Sequence, residues 1–228
     1  LKDKPAIKDE ASEAAQRVMD AIVTQKLAPS QKVSENILCD MFGFSRTLAR
    51  NLIERLTAQH FLIPLSPRVT VVAPLTLLEI KQNFTLRKIL LPKTFSLAAA
   101  NLDYAKLKDL NRKIETTRPI TDDDTALEML KRNKELNLTL CGEAGYPLML
   151  EWARQLEDTA MRIYWLYLKS RGHLPYTSEQ QGLLLDVMKS DETSKIQEAI
   201  LSTLSQSEER ILNAIFTHEQ FYTQDLKI

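Results

Sequence analysis

Residues Phe42-Gly43-Phe44-Ser45-Arg46-Thr47-Leu48-Ala49-Arg50-Asn51-Leu52-Ile53-Glu54-Arg55-Leu56 decide the fold. Leu48, Leu52, Ile53 and Leu56 recur at helical spacing and form an inner face, while Arg46, Arg50 and Asn51 fall on the outer one. Ser45 stands where an N-cap hydroxyl accepts from the first free helix amides. Ahead of it, Gly43 ends a helical run of Ile37, Leu38 and Met41 that Ser34 caps in turn. Two helices joined by a few residues, one of them glycine and one a capping serine, make a helix-turn-helix connection.

Working outward, Ala14, Ala15, Val18, Ala21 and Ile22 predict an earlier helix that Leu27-Ala28-Pro29-Ser30 breaks. Downstream, Phe61-Leu62-Ile63-Pro64-Leu65 and Val69-Thr70-Val71-Val72 are short apolar or β-branched runs around Ser66-Pro67-Arg68. They predict a two-stranded hairpin with Arg68 at its tip. Three helices followed by a hairpin are a winged helix-turn-helix, expected over residues 1–76. Pro74-Leu75-Thr76 reads as a joint, with Thr76 capping the next helix. From Leu77 onward only helical periodicity is visible, in segments near 77–100, 103–117, 124–142, 147–171, 177–189, 192–204 and 206–222. Short breaks such as Arg118-Pro119-Ile120-Thr121 and Gly172-His173-Leu174-Pro175 imply antiparallel neighbours. The expected fold is therefore mainly α: an N-terminal winged helix-turn-helix and a C-terminal antiparallel all-α bundle over residues 77–228.

Composition supports this. Only five glycines occur in 228 residues, which favours helices over tight turns. Hydrophobic residues make up 44% and charged residues 26%, ordinary values for a soluble globular chain. No apolar run reaches the roughly 18 residues of a membrane span, and Leu1-Lys2-Asp3-Lys4-Pro5 opens no signal-peptide core. Cys39 and Cys141 lie far apart and read as reduced thiols in a cytoplasmic protein. Net charge is zero, but its distribution is uneven: residues 1–76 hold ten basic against eight acidic side chains. Between 41 and 70 four arginines face a single acid, Glu54. A local basic stretch in a neutral protein suits a small DNA-contacting surface backed by a domain that does not touch DNA.

Arg46, Thr47 and Arg50 fall in the first turns of the second helix of the motif, the part that meets base edges in a helix-turn-helix. A guanidinium fork reaches O6 and N7 of guanine together, worth about 1–3 kcal/mol of discrimination. Ser45 and Thr47 can donate to phosphate beside the free amides of the helix start. Arg68 can reach a minor groove or a phosphate. Alone, a Ser-Arg-Thr run is as consistent with a solvated cap; inside helix–turn–helix–hairpin order it reads as a DNA-binding set.

Residues 14–76 resemble the DNA-binding domain of the GntR family. Gly43-Phe44-Ser45-Arg46-Thr47-Leu48-Ala49-Arg50-Asn51-Leu52-Ile53-Glu54-Arg55-Leu56 is similar to that family's G-V-S-R-T-P-V-R-E-A-L-x-R-L. Leu27-Ala28-Pro29-Ser30-Gln31-Lys32-Val33-Ser34-Glu35 resembles its L-x-P-G-x-x-L-x-E, and Val72-Ala73-Pro74-Leu75-Thr76 its wing exit. The chain departs from the pattern at Leu48, Asn51 and Val69, which stand for proline, glutamate and the wing glycine. The resemblance assigns DNA contact to Arg46, Thr47 and Arg50, and to Arg68 on the altered wing.

Residues 77–204 resemble the helical effector domain of the FadR subfamily in its FCD form, through Leu86-Arg87-Lys88-Ile89-Leu90, Ala98-Ala99-Ala100 and the helix order. Many such domains hold a divalent metal on one Asp and three His. Aligned to that pattern, Asn133, Asn137, Gln180 and Ser202 occupy the ligand positions, and none of them is a strong transition-metal donor. His60, His173 and His218 lie elsewhere. The expectation is no metal and no cofactor, with the four polar side chains lining an effector pocket. For Asn133 and Asn137 a solvent-facing orientation is the alternative. The resemblance also points to Arg87 as the partner of an anionic ligand such as a small carboxylate, against an intramolecular ion pair or a snorkelling side chain. Arg162 and Arg171 are weaker candidates. Tyr164, Trp165 and Tyr167, with Trp152 and Met149, read as bundle core or dimer surface.

No phosphate loop, nucleophile elbow, zinc-protease helix or Cys-His pairing is present, so catalysis has no residues to rest on. Asp122-Asp123-Asp124 reads as an acidic helix start. The expected protein is a homodimeric repressor that binds double-stranded operator DNA and no membrane, under control of a small-molecule effector. A constitutive DNA-binding dimer with a purely scaffolding bundle is the alternative. Residues 205–228 receive no role.

Overall fold

A computed structural model describes residues 4–117, 120–190, 192–216 and Leu226. Within them the chain forms two compact units that divide between Leu75 and Thr76. The N-terminal unit contains α1 (Lys4–Val23), β1 (Lys32–Val33), α2 (Glu35–Phe42), α3 (Arg46–Ala58), β2 (Leu62–Ser66) and β3 (Val69–Val72). Its core forms where three apolar helix faces meet. Val18 and Ile22 of α1, Leu38 of α2, and Ala49, Leu52 and Leu56 of α3 are at most 1% exposed. Phe61, Leu62 and Val72 close this core from the sheet side. Each fully buried leucine contributes about 1.5–3 kcal/mol.

Local chemistry sets the turn between α2 and α3. The Ser34 hydroxyl accepts from the Ile37 amide at 3.3 Å, and that of Ser45 from the Leu48 amide at 3.2 Å. Gly43 takes φ +73°, which a β-carbon would strain, and its amide closes on the Cys39 carbonyl at 2.9 Å. From α1, the Arg17 guanidinium donates to the Phe42 carbonyl at 3.2 Å and lies 5.6 and 5.0 Å from the Phe42 and Phe44 ring centres. Those two rings are stacked. The second helix of the motif, α3, therefore leaves the turn in a direction fixed by α1 as well as by the cap.

The wing is a three-stranded antiparallel sheet of order β1-β3-β2, one strand more than the expected hairpin. Lys32 and Val33 pair with Val71 and Thr70. A two-residue strand is too short to show alternation, so periodicity cannot reveal it. Pairing of β2 with β3 shifts between Pro64 and Ser66, where proline has no amide for the ladder.

The second unit is all helical: α4 (Leu77–Ala98), α5 (Tyr104–Thr116), α6 (Asp123–Gly142), α7 (Pro147–Arg171), α8 (Ser178–Val187) and α9 (Thr193–Phe216). α7 is the central strut; every residue from Ala160 through Leu168 is buried. Helices α4, α6 and α9 pack on it. Asp122 caps α6 by accepting from the Thr125 amide at 2.7 Å, so the acidic run does begin a helix. The expected break near residue 205 is absent. α9 runs on to Phe216 because no glycine or proline interrupts it, and the Ser207 hydroxyl bonds back to the Thr203 carbonyl within the helix. Tyr164, Trp165 and Tyr167 are core, whereas Trp152 is half-exposed.

Leu52→Ala removes a side chain from the junction of the motif helices and is expected to cost the N-terminal unit about 2–5 kcal/mol. Arg46→Ala, on the outer face, is expected to stay within about 0.5 kcal/mol of the parent. Urea unfolding of the full chain, followed by circular dichroism, measures both.

Candidate nucleic-acid interface and bundle cavity

At the start of α3, Ser45, Arg46, Thr47 and Arg50 are all exposed, and Arg68 is exposed in the turn between β2 and β3. The sequence-predicted set therefore lies on the outer side of its unit, with Ala49, Leu52 and Leu56 facing inward. Two of its members are engaged. The Ser45 oxygen serves as the helix cap. Arg50 donates Nε to Glu35 Oε1 at 2.8 Å and Nη2 to Oε2 at 3.4 Å, so its fork grips the first residue of α2. The hydrogen bond from Arg50 holds the Glu35 carboxyl below the usual carboxylate range, and Arg46 adds a smaller pull in the same direction. Sequence reasoning quoted Glu35 within a motif but gave it no role; a pairing across fifteen residues leaves no trace in periodicity.

In the helical unit the central feature is a buried ion pair. Arg87 of α4 is 2% exposed and Glu157 of α7 is 1% exposed, with Nη2 to Oε1 at 2.7 Å. Arg87 Nη1 donates to the Tyr164 hydroxyl at 2.7 Å, and Asn137 of α6 donates Nδ2 to Glu157 Oε2 at 3.0 Å. Tyr176 donates to Asn133 Oδ1, and its ring meets Tyr164 edge-on at 6.1 Å. Burial works against the charge on Arg87, but Glu157 and then Tyr164 outweigh it, and the guanidinium stays protonated. Burial pushes the hydroxyls of Tyr164 and Tyr176 up, so both remain phenols at neutral pH.

Beside this network lies a cavity of about 50 Å³, lined at its polar end by Arg87, Asn137, Tyr164, Tyr176 and Gln181 and elsewhere by apolar side chains such as Leu91 and Phe95. It adjoins a wider groove of about 270 Å³ between α8 and α9; the two share Tyr176, Leu184, Thr203 and Ser207.

Of the expected pocket residues, Arg87 and Asn137 line the cavity, and Asn133 is buried one turn away against Tyr176. Both asparagines thus point inward. Gln180 and Ser202 line the adjoining groove and not the cavity itself. Gln180 forms a reciprocal cap with Thr177 and accepts from Arg210, while Ser202 is exposed on the groove and accepts from Gln206. Their neighbours Gln181 and Thr203 line the cavity instead. The expected lining is thus divided between cavity and groove, because consecutive helical residues point about 100° apart. The key residue missed is Glu157, which shows that Arg87 takes the ion-paired alternative left open by the sequence.

This donor set does not fit a transition metal. The Asn133 oxygen is occupied by Tyr176, the Asn137 amide faces a carboxylate already paired, and a guanidinium stands alongside. Among the described residues no group of His, Cys, Asp and Glu could hold a metal ion. His60 and His173 are exposed, and His218 lies outside the described residues. Arg162 is buried and Arg171 exposed; neither lines the cavity. No described helix is long and apolar enough to cross a membrane.

Comparison with known proteins places this geometry. Residues 82–206 match the family model described as the FCD domain. Among curated protein sequences none matches the chain. Several solved structures share the fold. The Escherichia coli protein McbR/YncC aligns at a TM-score of 0.71 with 17% identity, covering 89% of this chain and 97% of its own. A GntR-type putative transcriptional regulator from Rhodococcus sp. RHA1 aligns at 0.69 with 17% identity, over 90% and 99%. Lar from Listeria monocytogenes, described as controlling expression of the agr system, aligns at 0.62 with 17% identity, over 89% and 96%. At such identities the likeness is one of fold.

Arg87→Met alone leaves Glu157 buried without a counter-charge and is expected to destabilise the helical unit by about 3–5 kcal/mol. The double variant Arg87→Met, Glu157→Leu removes both charges and is expected to recover most of that loss. Thermal unfolding of the three proteins measures it; equal losses in single and double variants would mean the pair contributes by packing alone.

Proposed function

The chain belongs to the FCD-domain family, with a winged helix-turn-helix ahead of that domain as in GntR-type transcriptional regulators, and we propose that it is a sequence-specific repressor whose affinity for operator DNA is set by a small molecule held in the helical bundle. The observation that carries the reading is the outward display of Arg46, Thr47 and Arg50 on a helix whose leucines anchor it to α1 and α2. In this reading α3 enters the major groove, Arg46 and Arg50 meet base edges, Ser45 and Thr47 meet phosphates, and Arg68 reaches from the wing. Arg50 must exchange Glu35 for guanine. That exchange gives up one bidentate partner for another, so it succeeds where the right base is presented and is unfavourable elsewhere.

Two copies of the chain bind a pseudo-palindromic site, one head per half-site. The surfaces we assign to their association are exposed apolar faces of α4 and α7. Leu78, Leu86 and Ile89 lie on one side of α4, and Leu148 and Trp152 are a turn apart on α7; all five are more than half exposed. Effector binding shifts the population of dimer arrangements and with it operator affinity. Such a protein works in the cytoplasm, where the DNA is. Against the effector, the pairing of Arg87 with Glu157 inside the protein favours the second reading, a constitutive DNA-binding dimer whose bundle is a scaffold. For the effector stand the cavity itself and the buried Arg87 Nε, which has no hydrogen-bond partner.

Selection from a random duplex pool followed by binding assays tests the DNA role. Arg50→Ala and Arg46→Ala are expected to lose about 1–3 kcal/mol on the selected site and little on random duplex. Equal loss on both would reduce these arginines to phosphate contacts, and failure to enrich any site would remove the assignment. For the association surface, Ile89→Glu is expected to convert a sedimenting dimer to monomer; an unchanged dimer would move the interface elsewhere.

A further inference from the structure

The cavity of the helical unit has a single charged side chain in its lining, Arg87. Its one cation is already neutralised, because both Glu157 oxygens are engaged, one by Arg87 and the other by Asn137. A carboxylate entering here would bring a second negative charge beside the buried Glu157, and its desolvation would be offset by no unpaired counter-charge.

The hydrogen-bonding capacity left over points the same way. Thr203 and Ser207 donate their hydroxyl protons to carbonyls of their own helix, and Tyr176 donates to Asn133. Their oxygens retain lone pairs. Asn137 uses its NH₂ on Glu157, leaving its amide oxygen uncommitted, and the buried Gln181 Oε1 has no partner at all. The lining is therefore rich in spare acceptors. On the donor side stand the phenolic proton of Tyr164, whose oxygen takes the Arg87 bond, the unpartnered Arg87 Nε and the Gln181 NH₂. A guest that only accepts leaves those oxygens unanswered, and a carboxylate only accepts. A primary amide or an alcohol donates and accepts at once.

We infer that the ligand of this bundle presents an uncharged, hydrogen-donating head, of the primary amide or alcohol type, to Gln181, Asn137 and Tyr164, with an apolar stem against Leu91, Leu184 and Ile200. This rests on the effector reading above and narrows its chemistry. The head has room for only a few heavy atoms in about 50 Å³, and the remainder of a longer molecule extends into the α8–α9 groove. The assignment departs from the carboxylate expected when Arg87 was read without Glu157.

Matched pairs test it: propionamide against propionate, and butyramide against butyrate, titrated into the full chain at neutral pH with thermal shift and calorimetry as readouts. The amides are expected to bind at least about tenfold tighter than the acids, an unpaired buried charge costing more than that in general. Glu157→Gln leaves Arg87 without its anion and is expected to reverse the preference toward the acids. Should that variant not fold, the ratio in the parent protein still decides. Acids binding the parent as well as the amides would overturn the inference and leave an effector site standing. No binding by any of the four compounds, in parent or variant, would remove the effector site along with it.

Discussion

A guanidinium can live inside a helical bundle only with an anion beside it. The helical unit is arranged around that condition. Arg87 comes from α4, Glu157 and Tyr164 from α7, and Asn137 from α6, so three helices that pack on one another are also tied at one point by directional bonds. Apolar packing alone tolerates small rotations of a helix; a fork with two defined acceptors does not. The cavity next to it inherits its shape and its neutrality from this arrangement. Arg87 is thus a cation permanently bound to the fold at the cavity's polar end.

The N-terminal unit rests on a simpler device. α3 is held from below by leucines and from its start by Ser45, and the turn before it is clamped by Arg17 against two stacked rings. Its outer face is thereby free to carry charge. That Arg50 does not hang free but grips Glu35 means that any other partner of its guanidinium has an internal competitor. The pair is largely exposed, so its energy in the free protein is small and salt-sensitive; its effect is on orientation.

Much of this was legible from the chain. Ser34, Gly43 and Ser45 mark their helix ends by chemistry that does not depend on distant contacts, and each acts in the structure as its residue type dictates. The asparagines facing inward were also within reach, since their i, i+4 spacing sets them beside Leu130, Leu136 and Leu140 on one face. What escaped depended on distance along the chain. Glu157 pairs with Arg87 across seventy residues, Glu35 with Arg50 across fifteen, and β1 with a strand nearly forty residues later. Gln180 and Ser202 fall in the adjoining groove rather than the cavity for a different reason: one step along a helix turns a side chain by about 100°.

The short strand β1 has a mechanical consequence. β3 bonds to β2 on one edge and, on the other, to the segment that leads directly into the Ser34 cap. The arginine at the end of the wing and the helices of the turn therefore belong to a single stiff body, like the two jaws of a caliper locked at one opening. In the binding mode proposed above, a duplex whose grooves already match that opening is accommodated as it stands, and one that does not must bend to meet it, so base pairs that no side chain touches acquire a say in where the protein settles.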